Sequence, residues 1–363
     1  MYIGIPKESR PFEYRVGLPP AGVEILTRNG HQVFVEHEAG LAAGFSDQEY
    51  EQAGARIAYS AEEVFGRADL LLKIARPLKQ ELEWLREDSM IAGFLHLASS
   101  SQDQIDLLLD KKITAIAYEQ VSAKERDFPV LRPFSMICGA MVAQIAARLL
   151  QTNRGGKGIL LSGLPGVPPA EVVIIGGGAV GASAARAMMR AGAHVTLLDK
   201  SMSVLEKVAD RVPGVVTMIA TERNIERATS YADVVIGAVM KSGMRAPIVI
   251  TREILRGMKP RSVIIDVSID QGGCVETSRP TTHDTPTFVE ENIVHYCVPN
   301  IPSLVARTAS HMFVNAAIPY ILEIANTGIE AARKADPAIE AAINTYQGEM
   351  VHLVRLSAKD GGK

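Results

Sequence analysis

Two doubly wound α/β domains, each built on a mostly parallel sheet, are predicted by three features of the 363-residue chain. Apolar runs of strand length alternate with segments of helical pattern in two successive series. A glycine-rich turn joins a strand to a helix at the head of the second series, and breaker-poor stretches lie where one series gives way to the other and back. Alternation of this kind builds parallel sheets covered by helices on both faces.

The first series places strands at 2–5, 32–35, 70–74, 90–95 and 113–117. The second begins at Val172 and continues at 195–198, 215–219, 234–236, 263–267 and 294–298. Between them a helix is predicted over about 135–150, since the chain is largely free of breakers after Gly139. After Asn300-Ile301-Pro302 a second helical stretch runs toward 324, and the residues to about 356 read as helical again. These two stretches are expected to cross between the domains, giving one domain of 1–130 plus 308–363 and another of 131–307, with a ligand cleft between the sheets. Residues 359–363 have nothing to bury and are expected to fray.

Composition narrows the function classes. Lys plus Arg is 38 against 41 Asp plus Glu, so the net charge of −3 offers no nucleic-acid footprint and no basic membrane-binding patch. The apolar runs are too short to span a bilayer, and the opening Met1-Tyr2-Ile3-Gly4-Ile5-Pro6-Lys7-Glu8 lacks the pattern of a signal peptide. Cys138, Cys274 and Cys297 are widely spaced and odd in number, which argues against a disulfide framework or a zinc site. A cytoplasmic protein without a metal is the expectation.

The glycine turn is the most specific local signal. Glu171-Val172-Val173-Ile174-Ile175 leads into Gly176-Gly177-Gly178-Ala179-Val180-Gly181, then a helix and a strand ending at Asp199. Gly176 permits the tight turn, Gly178 lets the backbone approach a pyrophosphate, and Gly181 allows the helix to lie close to the strand. The helix start, at Ala179 and Val180, offers N–H groups and the positive dipole end to an anion. Asp199, about 18 residues beyond Gly181, would accept hydrogen bonds from ribose hydroxyls and repel a 2′-phosphate. The second domain is therefore expected to be a Rossmann domain that binds NAD in preference to NADP.

Five residues stand where chemistry is expected, near the carboxyl ends of strands. Lys73 ends an apolar run, where an unpaired ammonium would be costly to bury. Arg15 follows the first strand and has the planar fork suited to a carboxylate. His96 follows Met90-Ile91-Ala92-Gly93-Phe94-Leu95 and can move protons near neutral pH. Asp266 and Asp270 both lie near the cofactor edge of the second domain, where either carboxylate could orient a histidine or stabilise a cation and the other could be a turn-forming acid.

Taken together, Gly4-Ile5-Pro6-Lys7-Glu8, Glu13-Tyr14-Arg15-Val16, Asp69 to Lys73, Leu95-His96-Leu97-Ala98, Gly163 to Val167, the glycine turn, Ile269 to His283 and Asn344 to Gly348 resemble the alanine dehydrogenase family. That family is related to the cofactor-binding subunit of proton-pumping transhydrogenase. The resemblance implies reversible NAD-dependent deamination of L-alanine to pyruvate and ammonia. It implies Arg15 and Lys73 as substrate ligands, His96 as general acid/base and Asp270 as its assistant. It also implies Ser135, Asp199, Val239 and Asn300 as cofactor neighbours, and a homo-oligomer, a hexamer with a helix-mediated dimer inside it. The chain departs from the family pattern at Met136, at Ala140, over Ile74-Ala75-Arg76-Pro77 and around Asn300. The alternatives are a dehydrogenase or opine/saccharopine-type reductive aminase acting on another amino acid, and a transhydrogenase-like protein that binds NAD(H) without oxidising a substrate.

Overall fold

A computed structural model describes residues 1–122, 127–240 and 245–354; the expected fraying of 359–363 lies outside these. The chain forms two compact units, Met1–Phe134 with Ser303–Lys363, and Ser135–Pro302.

In the first unit the strands are β1 (Tyr2–Ile5), β2 (Gln32–Glu36), β3 (Arg56–Ala58), β4 (Leu70–Leu72), β5 (Met90–Gly93) and β6 (Thr114–Ala117). The second unit contributes β7 (Glu171–Ile175), β8 (His194–Asp199), β9 (Val216–Ile219), β10 (Val234–Gly237), β11 (Val263–Asp266), β12 (Thr287–Glu290) and β13 (Ile293–Tyr296). Back in the first unit, β14 (Ile343–Tyr346) and β15 (Glu349–Met350) complete the sheet.

The first sheet has the order β15-β14-β6-β5-β4-β1-β2-β3 and the second β12-β13-β11-β10-β7-β8-β9. Within each, six parallel strands follow the doubly wound order 3-2-1-4-5-6, reversing direction of progress between β1 and β4 and between β7 and β10. Every residue of β4, β5, β6, β10, β11 and β13 is buried, as a strand covered on both faces requires. Loops that leave the carboxyl ends at the two reversal points diverge to opposite faces, which opens a crevice in each unit.

Both sheets finish in an antiparallel hairpin that the strand-by-strand reading missed. Glu291 and Asn292 between β12 and β13, and Gln347 and Gly348 between β14 and β15, all have positive φ. Two consecutive residues in that region form the tight turn whose twist matches an antiparallel pair. The C-terminal stretch is accordingly not helical to 356. Helices Ala306–Thr327, Ile329–Ala335 and Pro337–Ala342 end at Asp336-Pro337 and then at Ile343, where the chain enters the sheet beside β6. Burial of Ile343, Asn344 and Thr345 outweighs local helical preference there. The predicted helix at 135–150 is present as Arg132–Leu149.

A Cβ at Gly181 would stand 1.8 Å from the Gly176 carbonyl oxygen. Gly181→Ala is expected to force the helix Ala179–Arg190 away from β7 and to lower stability by about 1–3 kcal/mol, read as a lower denaturant midpoint. An unchanged midpoint would show that the helix can shift without loss.

Candidate active site

In the first unit the reversal point is held by a buried lysine. Lys73, directly after β4, is 1% exposed, with its Nζ 2.9 Å from Glu81 Oε1 and 3.2 Å from Glu8 Oε2. Glu8 follows β1, and its Oε1 accepts a 2.7 Å hydrogen bond from the Ile74 N–H. Glu81 accepts at 2.9 Å from the Ser9 hydroxyl and at 2.6 Å from the Leu78 N–H at the start of the helix Lys79–Trp84. The ammonium therefore reaches the carboxyl end of β4 as expected, but a substrate carboxylate would have to displace Glu8 or Glu81 to touch it.

The charges shift one another. Burial holds the Glu8 carboxyl above its ordinary 4.5, with Lys73 pulling the other way and Glu13 and Glu81 adding to the rise. Burial draws the Lys73 ammonium down, yet Glu8 and Glu81 outweigh it and hold the group above its usual 10.5.

Arg15 is buried and forked onto Glu13, with Nε 2.7 Å from Oε1 and Nη2 2.5 Å from Oε2. Its guanidinium carbon also lies 4.8 Å from the centroid of the Phe134 ring. This grip uses one edge of the guanidinium and fixes the direction of the other. Phe134 belongs to an aromatic cluster with Phe94, Tyr118 and Phe313, which packs the ends of β5 and β6 against the helices carrying Phe134 and Phe313.

His96 stands beyond that cluster with φ 45°, a left-handed conformation uncommon for histidine, and its side chain is 59% exposed. Glu119, in the turn after β6, holds it there. Its Oε1 accepts a 2.6 Å hydrogen bond from the His96 N–H and lies 3.5 Å from Nδ1. The other Glu119 oxygen is buried with no hydrogen bond among the described residues. Glu8, Glu13, Glu81 and Glu119 were not singled out from the sequence. The available signal was physical: a lysine buried at a strand end needs a carboxylate, and Glu8 is the acid nearest the end of β1.

In the second unit, Gly176 has φ 104°, and a Cβ on it would lie 2.3 Å from the Ala238 carbonyl oxygen, next to Val239. Gly178 has no atom within 4 Å of an added Cβ, and no side chain caps the helix that starts at Ala179. An exposed Gly178-Ala179 face with uncapped N–H groups beyond it is a cradle fitted to a pyrophosphate. Asp199 Oδ2 accepts from the Gly177 N–H at 2.7 Å and Oδ1 from the Ser201 N–H at 2.8 Å. Both oxygens keep a lone pair for a ribose hydroxyl. Val239 is pinned by Ser268, whose Oγ accepts from its N–H at 3.0 Å and donates to its carbonyl oxygen at 2.8 Å. Asn300 follows β13 with φ 57°, and Ser135 lies in the first turns of Arg132–Leu149. Gly176, Gly178, Val180, Gly181 and Val239 thus converge at the reversal point, with Asp199 one strand away.

The two aspartates separate clearly. Asp266 is 1% exposed and accepts from the Ser268, Cys274 and Val275 N–H groups at 3.0, 2.9 and 3.2 Å, so it is the turn-forming acid. Asp270 is exposed on the following turn, Val267–Gln271. Cys138, Cys274 and Cys297 are buried free thiols, and burial raises the Cys274 thiol well above its usual range.

Family models for the N-terminal and C-terminal domains of alanine dehydrogenase/PNT match residues 4–138 and 142–353. The chain belongs to the alanine dehydrogenase/PNT family. It is 44% identical over 362 residues to alanine dehydrogenase of Methanococcus maripaludis, covering 99% of this chain and 97% of that one. A solved L-alanine dehydrogenase superposes with a TM-score of 0.93 at 40% identity, over 97% of each chain. A transhydrogenase from Sinorhizobium meliloti gives 0.84 at 25% identity, over 97% of this chain and 99% of its own. As an alanine dehydrogenase/PNT family member the chain is a dinucleotide-binding oxidoreductase with the α/β architecture read from its sequence.

The Glu8 shift has a definite sign. The folded chain holds the proton more tightly than the unfolded chain, so its stabilising contribution is complete below about 4.5 and is lost as pH rises through the raised folded value. Glu8→Gln is expected to flatten that part of the stability–pH curve, measured by denaturant unfolding across a pH series. An unaltered slope would mean that Glu8 titrates at its ordinary value.

Proposed function

We propose that this protein catalyses the reversible NAD-dependent oxidative deamination of L-alanine to pyruvate and ammonia. The observation that carries the reading is full-length likeness to alanine dehydrogenases in sequence and in structure, with Arg15 and His96 at the carboxyl ends of the first sheet. NAD, held by the Gly176–Gly181 turn and Asp199 with Ser135, Val239 and Asn300 as neighbours, supplies the hydride acceptor.

The free edge of Arg15, aimed by Glu13, binds the substrate carboxylate through charge-assisted hydrogen bonds. Lys73 contributes positive potential and fixes the loops around that carboxylate. Once the amine carbon has lost hydride, water adds to the resulting imine. His96 takes a proton from that water and delivers one to the departing nitrogen, leaving the 2-oxo acid. Glu119 holds the imidazole in orientation, and Asp270 assists by stabilising positive charge at the reacting nitrogen. In the reverse direction the same groups bind pyruvate and protonate its oxygen during reductive amination.

The working form is proposed to be a cytoplasmic homo-oligomer, a hexamer or a dimer. Exposed Leu160, Leu164 and Val167 on one loop support burial against another subunit. Among the described residues no helix is long and apolar enough to cross a membrane.

With NAD and a panel of L-amino acids, NADH is expected to form fastest with alanine. His96→Ala is expected to lower kcat by about 10²- to 10⁴-fold while leaving NADH affinity nearly unchanged. NADH formation from another amino acid but not alanine would overturn the substrate, and a fully active His96→Ala enzyme would remove histidine from proton transfer.

A further inference from the structure

The two cations expected to meet the substrate carboxylate both already hold carboxylates of the protein. Lys73 is enclosed by Glu8 and Glu81, and Arg15 by Glu13 on one edge. Two arginines on the same loops have no carboxylate in ion-pair range among the described residues: Arg10, two residues beyond Glu8, and Arg76, three residues beyond Lys73.

Their placement is specific. Arg10 Nε donates to the Arg76 carbonyl oxygen at 2.6 Å, and Arg76 Nη1 donates to Ser99 Oγ at 3.2 Å. The Ser99 hydroxyl in turn donates to the His96 carbonyl oxygen at 3.0 Å. One hydroxyl therefore separates the Arg76 guanidinium from the histidine residue proposed to move protons. Both arginines are part-buried as residues, the Arg76–Ser99 bond lies at the surface, and each guanidinium keeps terminal N–H groups beyond the bond described. Burial holds Arg76 below the ordinary arginine value, and the positive charge of Arg10 lowers it further. Two like charges kept together without an acid form a site of positive potential that an anion would relieve.

We infer that Arg76, backed by Arg10, completes the carboxylate-binding site with Arg15, taking the second-cation role that Lys73 cannot fill while Glu8 and Glu81 enclose it. The inference rests on the dehydrogenase reading above, with a small 2-oxo acid or amino acid as the anion. Arg76 binds from the His96 side, so its contact also sets how far the reacting carbon stands from the imidazole. Arg10 acts through its bond to the Arg76 backbone and through its charge.

The test measures pyruvate, ammonium and NADH kinetics, with oxalate as an unreactive anionic probe whose binding is read by calorimetry. Arg76→Gln is expected to raise KM for pyruvate and weaken oxalate binding by about 10- to 100-fold, with KM for NADH unchanged. Arg76→Lys, which keeps the half-buried charge and serves as the fold-safe variant, is expected to fall between, because a point charge cannot reproduce the guanidinium fork. Arg10→Gln is expected to give a smaller rise in the same KM. Thermal midpoints identify any variant whose change comes from unfolding. If the wild type reduces pyruvate and the KM is unmoved in Arg76→Lys, Arg76→Gln and Arg10→Gln, the anion site is wrong and the dehydrogenase reading stands. If the wild type reduces no 2-oxo acid but binds oxalate in an Arg76-dependent way, the dehydrogenase reading is wrong and the anion site stands. A wild type that does neither overturns both.

Discussion

An ammonium buried at 1% exposure keeps its charge only if carboxylates surround it, and the carboxylates around Lys73 tie the first unit's site together. Glu8 comes from the loop after β1, Lys73 from the end of β4, and Glu81 from the first turn of Lys79–Trp84. The cluster therefore clamps both strands at the point where the sheet order reverses. Removing one partner of such a buried set costs about 3–5 kcal/mol because the remaining charge is left uncompensated. The same clamp fixes the loops that carry Arg10, Arg15 and Arg76. On the proposed function, Lys73 acts on the substrate only through the positions of its neighbours.

The second unit meets the equivalent constraint with backbone alone. At its reversal point the Gly176 turn passes the Ala238 carbonyl too closely for any Cβ, while Gly181 lets the helix settle onto the turn. What remains exposed is a helix start with no side-chain cap. One unit uses buried charge to shape its crevice, and the other uses the absence of side chains. That division suits the proposed ligands: a small anion would be selected by placed cations, and a pyrophosphate by converging N–H groups.

Features carried by periodicity and by local backbone demands were legible in the sequence. The apolar runs marked eleven of the strands, and the order strand, glycine turn, helix, strand, acid pointed to the turn where the structure has an uncapped helix start and an open Gly178. The edge hairpins were harder, because β12 is only partly buried and Ile343 to Thr345 owe their strand to pairing with β6, a contact remote in sequence. Side-chain partnerships were harder still. Asp266 and Asp270 look alike in sequence, and only the three N–H groups converging on Asp266 assign it to the turn. Lys73 was visible as an unusual strand-end cation, but the choice between a substrate carboxylate and Glu8 with Glu81 depended on distances across the fold. Arg76 stood out only as part of Ile74-Ala75-Arg76-Pro77, where the chain departs from the family pattern, and Arg10 carried no signal beyond its charge.

The central claim is that the amine-bearing carbon of alanine delivers its hydride to NAD. Incubating the protein with L-alanine deuterated at that carbon, and reading the nicotinamide product by NMR, tests it most directly. The account predicts deuterium at the reduced carbon of the nicotinamide ring, one equivalent for each pyruvate formed. Pyruvate accompanied by unlabelled NADH, or no reduced cofactor from alanine at all, would contradict it.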